Sequence, residues 1–303
     1  MRVTKAFTMI ELVFVIVIMG ILGKFGVEFL AQAYKGFIFS NVNHTLQSQS
    51  AQALDFIASR LQYRIKDSVI VREGANTNFT AIGSVAAGTK YTVLEWVASD
   101  IDGFRGYTKP KWSGIIDLSA SSPTRLNSPD TNTTDVDSLI SQLSDGNSSI
   151  SDSALYFIGS NNDINAYGWN GVPISNQVGA VMHPIKAGTA GTDFVPRDGS
   201  NSDAGTNTNT FAGVDVYEYY KLSWTANAIV YTPGTNNKGT LTFYYHYQPW
   251  NGEKFYTDAQ HSIIMENVST FQFVSIGSLL KIQVCTKSDL VEEHSLCKEK
   301  TIF

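Results

Sequence analysis

The sequence predicts an α+β fold: a long N-terminal helix packed on an antiparallel β-sheet, with long loop insertions in a β-rich head. An almost unbroken apolar run from Phe7 to Leu22 and an amphipathic stretch from Asn43 to Ile70 predict the helix. Beyond residue 73, short apolar runs rich in Val, Ile, Tyr and Phe alternate with Ser, Thr, Asn and Gly, which predicts strands and turns.

The chain has 303 residues, room for one large domain or two small ones. Its 43% apolar content supplies a core, and its low 16% charged content suits a secreted, loop-rich protein better than a cytosolic enzyme. With a net charge of −5 and no Lys/Arg run, it lacks the electrostatic footprint of a nucleic-acid binder.

At the N-terminus, Arg2 and Lys5 precede the apolar run, and only Lys24 and Lys35 follow it closely. The positive-inside rule then leaves the first residues in the cytoplasm and sends the bulk of the chain across the membrane. Phe7 to Leu22 makes about 24 Å of helix, short of a hydrocarbon core of ~30 Å. Phe25, Val27, Phe29, Leu30 and Ala31 extend it, so residues 7–31 form the membrane-embedded part. Lys24 and Glu28 fall near its boundary. No Ala-x-Ala cleavage site follows the run, so it does not read as an ordinary signal peptide. Glu11 is the anomaly. An ionised carboxylate inside lipid costs several kcal/mol and needs a partner.

Ala6-Phe7-Thr8-Met9-Ile10-Glu11-Leu12 resembles the cleavage and methylation motif of type IV prepilins and type II secretion pseudopilins. The resemblance implies a pilin-like fold and a leader of residues 1–6. It also implies cutting between Ala6 and Phe7 by prepilin peptidase and N-methylation of Phe7. The family usually has Gly before the cut, and Ala6 keeps the small side chain. In an assembled filament the Phe7 amine of one subunit would pair with Glu11 of its neighbour. Each charge would then relieve the other's desolvation cost. Gly20, Gly23 and Gly26 weaken the helix by about 1 kcal/mol each against Ala, and they also permit close helix packing. The proline found in many major pilins is absent.

The amphipathic half of the helix, residues 32–72, carries an apolar stripe of Leu54, Ile57, Ala58, Leu61, Ile65 and Val69, with Gly74 as stop signal and Gly36 and Asn41 as places for a bend. In the head, residues 73–303, candidate strands are Tyr91 to Ala98, Val178 to Ile185, Val214 to Trp224 and Ala228 to Thr232. Pro233 to Gly239 turns the last of these into Thr240 to Tyr247. A second hairpin runs from Ser262 to Cys285, turning at Gly277-Ser278. Polar stretches near 119–153 and 197–210 read as loops. The closing hairpin, Met265 to Phe273 with Leu279 to Val284, resembles that of the larger minor subunits, the W-type minor pilins and J-type pseudopilins.

No nucleophile elbow, P-loop, dinucleotide fingerprint or zinc spacing occurs; His44, His183, His246, His261 and His294 are scattered. The chain therefore reads as a non-enzyme without cofactor or metal. Asp130, Asn132, Asp135 and Asp137, and likewise Asp198, Asn201 and Asp203, supply hard oxygens but match no EF-hand loop. Cys285 and Cys297 form one disulfide in an oxidising compartment, worth about 2–3 kcal/mol, or stay free thiols in the cytosol. Asp130 to Thr134 and Asp145 to Ser149 fit the acidic form of N-x-S/T resembling bacterial N-glycosylation sites, which makes Asn132 and Asn147 candidate acceptors. Tyr217, Tyr219, Tyr220, Trp224 and Phe243, Tyr244, Tyr245, Tyr247, Trp250 would form a sheet face or core, and the same residues could form a sugar platform.

The expected function is a minor pilin or pseudopilin that assembles into, or initiates, a type IV pilus or type II secretion filament. It would be a single-pass inner-membrane protein with a periplasmic head, displayed at the cell surface when built into a pilus. Its partners would be other pilin or pseudopilin subunits, prepilin peptidase and the inner-membrane assembly platform. The alternative is a pilus-tip adhesin or glycan-binding module on a pilin stalk.

Overall fold

No proline occurs before Pro110, so nothing in the sequence interrupts helical hydrogen bonding early in the chain. In the computed structural model, which describes residues 8–86, 88, 90–160, 162–200, 209–288 and 295–303, helix α1 (Met9–Leu61) is continuous over 53 residues. That is about 80 Å at 1.5 Å per residue. It passes through Gly36 and Asn41 as one element. It stops at Leu61, before the expected end near residue 72. The consecutive β-branched residues Val69-Ile70-Val71 instead feed a strand, as side-chain crowding on a helix favours.

Strands β1 (Ile70–Arg72), β2 (Thr80–Ala81) and β3 (Val93–Ala98) open the head. After the short helix α2 (Ile101–Arg105) come β4 (Asp117–Ser122) and β5 (Arg125–Asn127). Helix α3 (Thr133–Leu143) leads to β6 (Ala154–Phe157), β7 (Met182–Ala187), β8 (Asp193–Pro196) and β9 (Tyr220–Ser223). The chain closes with β10 (Thr225–Thr232), β11 (Gly239–Tyr247), β12 (Gln260–Ile276), β13 (Leu279–Lys287) and β14 (Ser295–Ile302). All the ladders are antiparallel. One sheet has the order β14-β13-β12-β11-β10-β3-β1-β2, and the other β4-β5-β8-β7-β6-β9. Both expected hairpins form, with Ile276 opposite Leu279 across Gly277-Ser278 and Thr232 opposite Thr240 across the longer turn. Gly277 sits at φ +61°, where a residue without Cβ is least strained.

The large sheet is covered on both faces at β1, β3, β10 and β11. On one face, Leu54, Ile57, Ala58 and Leu61 of α1 pack against Leu94, Ile229, Leu241, Phe271, Ile282 and Val284. Strand alternation turns Val93, Val97, Ala226, Ala228 and Tyr247 to the other face, where Tyr167, Trp169 and Trp250 cover them. A third core under the smaller sheet joins Val136 and Ile140 of α3 to Trp112, Leu155, Phe194 and Tyr220. The polar stretch 119–153 is therefore not plain loop. Asn132 caps α3, and Val136, Ile140 and Leu143 follow helical spacing, so the signal was present among polar neighbours. Of stretch 197–210, residues 201–208 lie outside the described residues, including Asn201 and Asp203.

Where the two sides of the large sheet meet, Arg72 on β1 donates from Nε to Glu95 on β3 at 2.5 Å, and both side chains are buried. Tyr247 Oη donates to the other carboxylate oxygen at 2.8 Å. The guanidinium also donates to the carbonyls of Asn76 and Trp169. Burial pushes the Glu95 carboxyl up, and the Arg72 charge opposes that shift. Removing either partner leaves a buried charge, at a cost of about 3–5 kcal/mol.

Cys285 and Cys297 face each other directly across β13 and β14 and are disulfide-bonded. In the chain-entropy description, closing so short a loop contributes about 3 kcal/mol. Reduction should therefore lower the unfolding free energy by about 2–3 kcal/mol in denaturant titrations, and thiol labelling without reductant should find neither cysteine free. Glu253 gives a second expectation. Burial, aided by nearby Asp258 and Asp152, pushes its carboxyl from 4.5 to about 7, against the hydrogen bond from the Gln248 amide. A raised folded-state value stabilises the fold below the unfolded value and loses that contribution as pH rises. Thermal stability should fall between pH 4.5 and about 7, and Glu253→Gln should flatten the slope; equal slopes in the two proteins would contradict this.

Candidate functional site

The candidate site is the N-terminal half of α1. Thr8 starts the helix through a reciprocal cap: its hydroxyl accepts from the Glu11 amide at 3.4 Å, and Glu11 Oε2 accepts from the Thr8 amide at 2.9 Å. The Thr8 hydroxyl also lies 2.9 Å from the same oxygen. Thr8 was not singled out from the sequence as a partner of Glu11, although the Thr-x-x-Glu pattern is the signature of this box. The cap satisfies backbone donors at the helix start. It supplies no counter-charge, so the negative charge of Glu11 stays uncompensated within the described residues.

From Met9 to Phe39, α1 projects about 46 Å without a single buried residue; Val42 is the first. The projecting surface is apolar, with Ile10 77%, Phe14 67% and Phe29 71% exposed. By length and composition this helix is a candidate single membrane span. Lys24 and Glu28 lie one turn apart, 3.9 Å from each other, so these two charges offset one another. A Cβ added at Gly20, Gly23, Gly26 or Gly36 would meet nothing within 4 Å. Among the described residues nothing requires glycine there, and the bare backbone is left open to neighbouring helices.

The other sequence-derived positions are spread over the head. Ala6 and Phe7 lie outside the described residues. The bonded Cys285 and Cys297 fasten the β14 edge, far along the chain from Glu11. Asn132 is exposed, and its side chain caps α3 by accepting from the Asp135 amide at 3.2 Å. Asn147 is exposed and donates to the Ser144 carbonyl at 2.8 Å, while Ser149 is engaged with Asp152. Among the described residues, no group of three or more His, Cys, Asp or Glu side chains is placed to hold a metal ion. Of the two aromatic runs, Tyr220, Trp224, Phe243, Tyr247 and Trp250 are buried, Tyr217 and Tyr219 are exposed, and Tyr244 and Tyr245 are half-buried. They divide between core and surface and do not form one platform.

Compared with protein-family models, with curated proteins and with solved structures, the chain matches none.

Proposed function

We propose that the chain is a minor pilin or pseudopilin, resembling the W-type and J-type subunits, anchored in the inner membrane by α1 and built into a type IV pilus or type II secretion filament. The observation that carries this reading is the apolar half of α1, left uncovered by the described head and bearing, near its start, a carboxylate with no counter-charge among the described residues. A plain membrane anchor gains from Glu11 only a helix cap, which needs no charge. A helix that passes from lipid into a bundle of like helices gains a register device. Prepilin peptidase would cut between Ala6 and Phe7, and the new methylated amine would meet Glu11 of the adjacent subunit. The open glycine backbone of α1 supports close helix approach in such a bundle. The assembly platform would act from the cytoplasmic side while the head folds in the periplasm, where the disulfide forms. The large two-sheet head suits a minor subunit better than a repeating one.

Two substitutions separate the cap from the counter-ion role. Glu11→Ala removes both cap and charge, whereas Glu11→Gln retains a side-chain acceptor for Thr8 but no charge. Both variants should insert in the membrane and show at least about a tenfold loss of incorporation into filaments, scored by immunogold counting on sheared filaments. Normal incorporation of Glu11→Gln would reduce Glu11 to a helix cap.

A further inference from the structure

Beside the C-terminal end of α1 lies a groove with a cavity volume of about 690 Å³, between the helix, β11 and the loops flanking α2 and α3. It runs into a second depression of about 630 Å³ along β12, the two sharing Phe56, Phe243 and Ser262. Each has the size of a small-molecule site.

The lining is a chain of ring faces. Phe56 meets Phe243 edge to face at 5.2 Å, and Phe243 stacks on Tyr245 at 5.3 Å. Tyr245 abuts His246 at 4.7 Å, and His246 lies 5.0 Å from Trp224. Two arginines extend over these rings. Arg60 lies 5.5 Å from the Phe56 centroid and 5.9 Å from that of Phe243, while Arg105 covers Tyr63 at 5.2 Å. Neither arginine forms an ion pair among the described residues.

The backbone is bent to make this surface. The register of β10 against β11 slips between Ala226 and Ala228, which gives a bulge at Tyr245 and His246. His246 stands at φ +60°, a strained conformation for a residue with a side chain, held by its amide donating to Thr225 Oγ1 at 3.0 Å. Its Nδ1 is buried without a hydrogen-bond partner.

Charge decides the class of ligand. Arg60 and Arg105 line the same groove as Asp102, Asp145 and the buried Asp100, so charges of both signs are present. Burial holds the His246 imidazole below its ordinary value, with Asp145 opposing that shift. With two guanidinium and three carboxyl groups in the lining, a polyanion or a polycation would meet repulsion as well as attraction. A neutral molecule with apolar ring faces and many hydroxyl groups would satisfy the rings, the guanidinium donors and the carboxylate acceptors together.

We propose that this groove binds a neutral oligosaccharide, with sugar faces on Tyr245 and His246 and hydroxyl groups paired by Arg60, Asp145 and Asn227. The inference is independent of how α1 is used, since the groove is built from the end of the helix that packs on the sheet. The test uses the full chain in a zwitterionic, sugar-free detergent on an array of immobilised neutral and acidic oligosaccharides, with hits quantified by calorimetry. At least one neutral class should bind. Tyr245→Ala and Arg60→Ala should each weaken it about tenfold or more, the scale of one stacked or cation–π contact. Tyr219→Ala, on an exposed ring outside the groove, should leave it unchanged. Arg60 is an exposed helix residue, so its variant keeps the test alive where Tyr245→Ala fails to fold. The proposal is overturned by no binding, by binding of acidic oligosaccharides alone, or by binding that both groove variants leave intact. Self-association lost in Arg60→Ala with no sugar bound would assign the groove to a second copy and overturn it as well. Glu11→Gln leaves the groove untouched, so sugar binding by that variant distinguishes failure here from failure of the filament reading.

Discussion

Burial of Leu54, Ile57, Ala58 and Leu61 against the large sheet holds α1 to the head, and because α1 is one unbroken helix, that contact fixes the direction of everything before it. The sheet covers the helix only from Val42 onward. Ahead of that point the described residues offer no apolar partner, and some 46 Å of hydrophobic helix must find its surroundings elsewhere. Water is a poor surrounding for that much exposed apolar surface. The division between a covered and an uncovered half therefore leaves the first half as a candidate single membrane span and the second as the contact with the head.

The head has to be stiff for this to work, and its layering makes it so. One sheet serves two cores, so β3, β10 and β11 are packed on both faces. The Arg72–Glu95–Tyr247 network ties strands β1, β3 and β11 at this shared layer, with every charge hydrogen-bonded. The disulfide then secures β14, the edge strand that lies against α1. A helix docked on a sheet fixed at its centre and at its edge has little freedom to tilt.

Much of this was legible in the sequence. The helix, its buried stripe, both late hairpins and the Gly277 turn follow from periodicity and turn chemistry, because each depends on residues close together in the chain. The failures are of two kinds. Apolar spacing carried the helix past Leu61 to Val69, but Ile65 and Val69 are buried as a connector, and Ile70 and Val71 pair with β3, an interaction far along the chain. Helix α3 was hidden by composition: Ser, Thr and Asp outweigh its few apolar residues, and only the cap at Asn132 with Val136 and Ile140 marks it. At the candidate site, Glu11 was conspicuous as a charge in an apolar run, whereas its local partner Thr8 was visible only as a capping pattern. The groove was legible only in part: Trp224, Phe243 and Tyr245 stood out as aromatics, but the bulge at Tyr245 and His246 arises from strand register.

The proposed leader would connect these features. Arg2 and Lys5 ahead of the apolar run would resist passage into a helix bundle; under the proposed reading, cutting after Ala6 would remove both and create a cation able to neutralise Glu11. Mass spectrometry of the chain isolated from membranes tests this most directly. The account predicts an intact head on a chain that begins at Phe7 and carries one methyl group on its amine. A membrane-bound chain that keeps Met1 to Ala6, or a soluble head released by cleavage beyond Leu22, would contradict it.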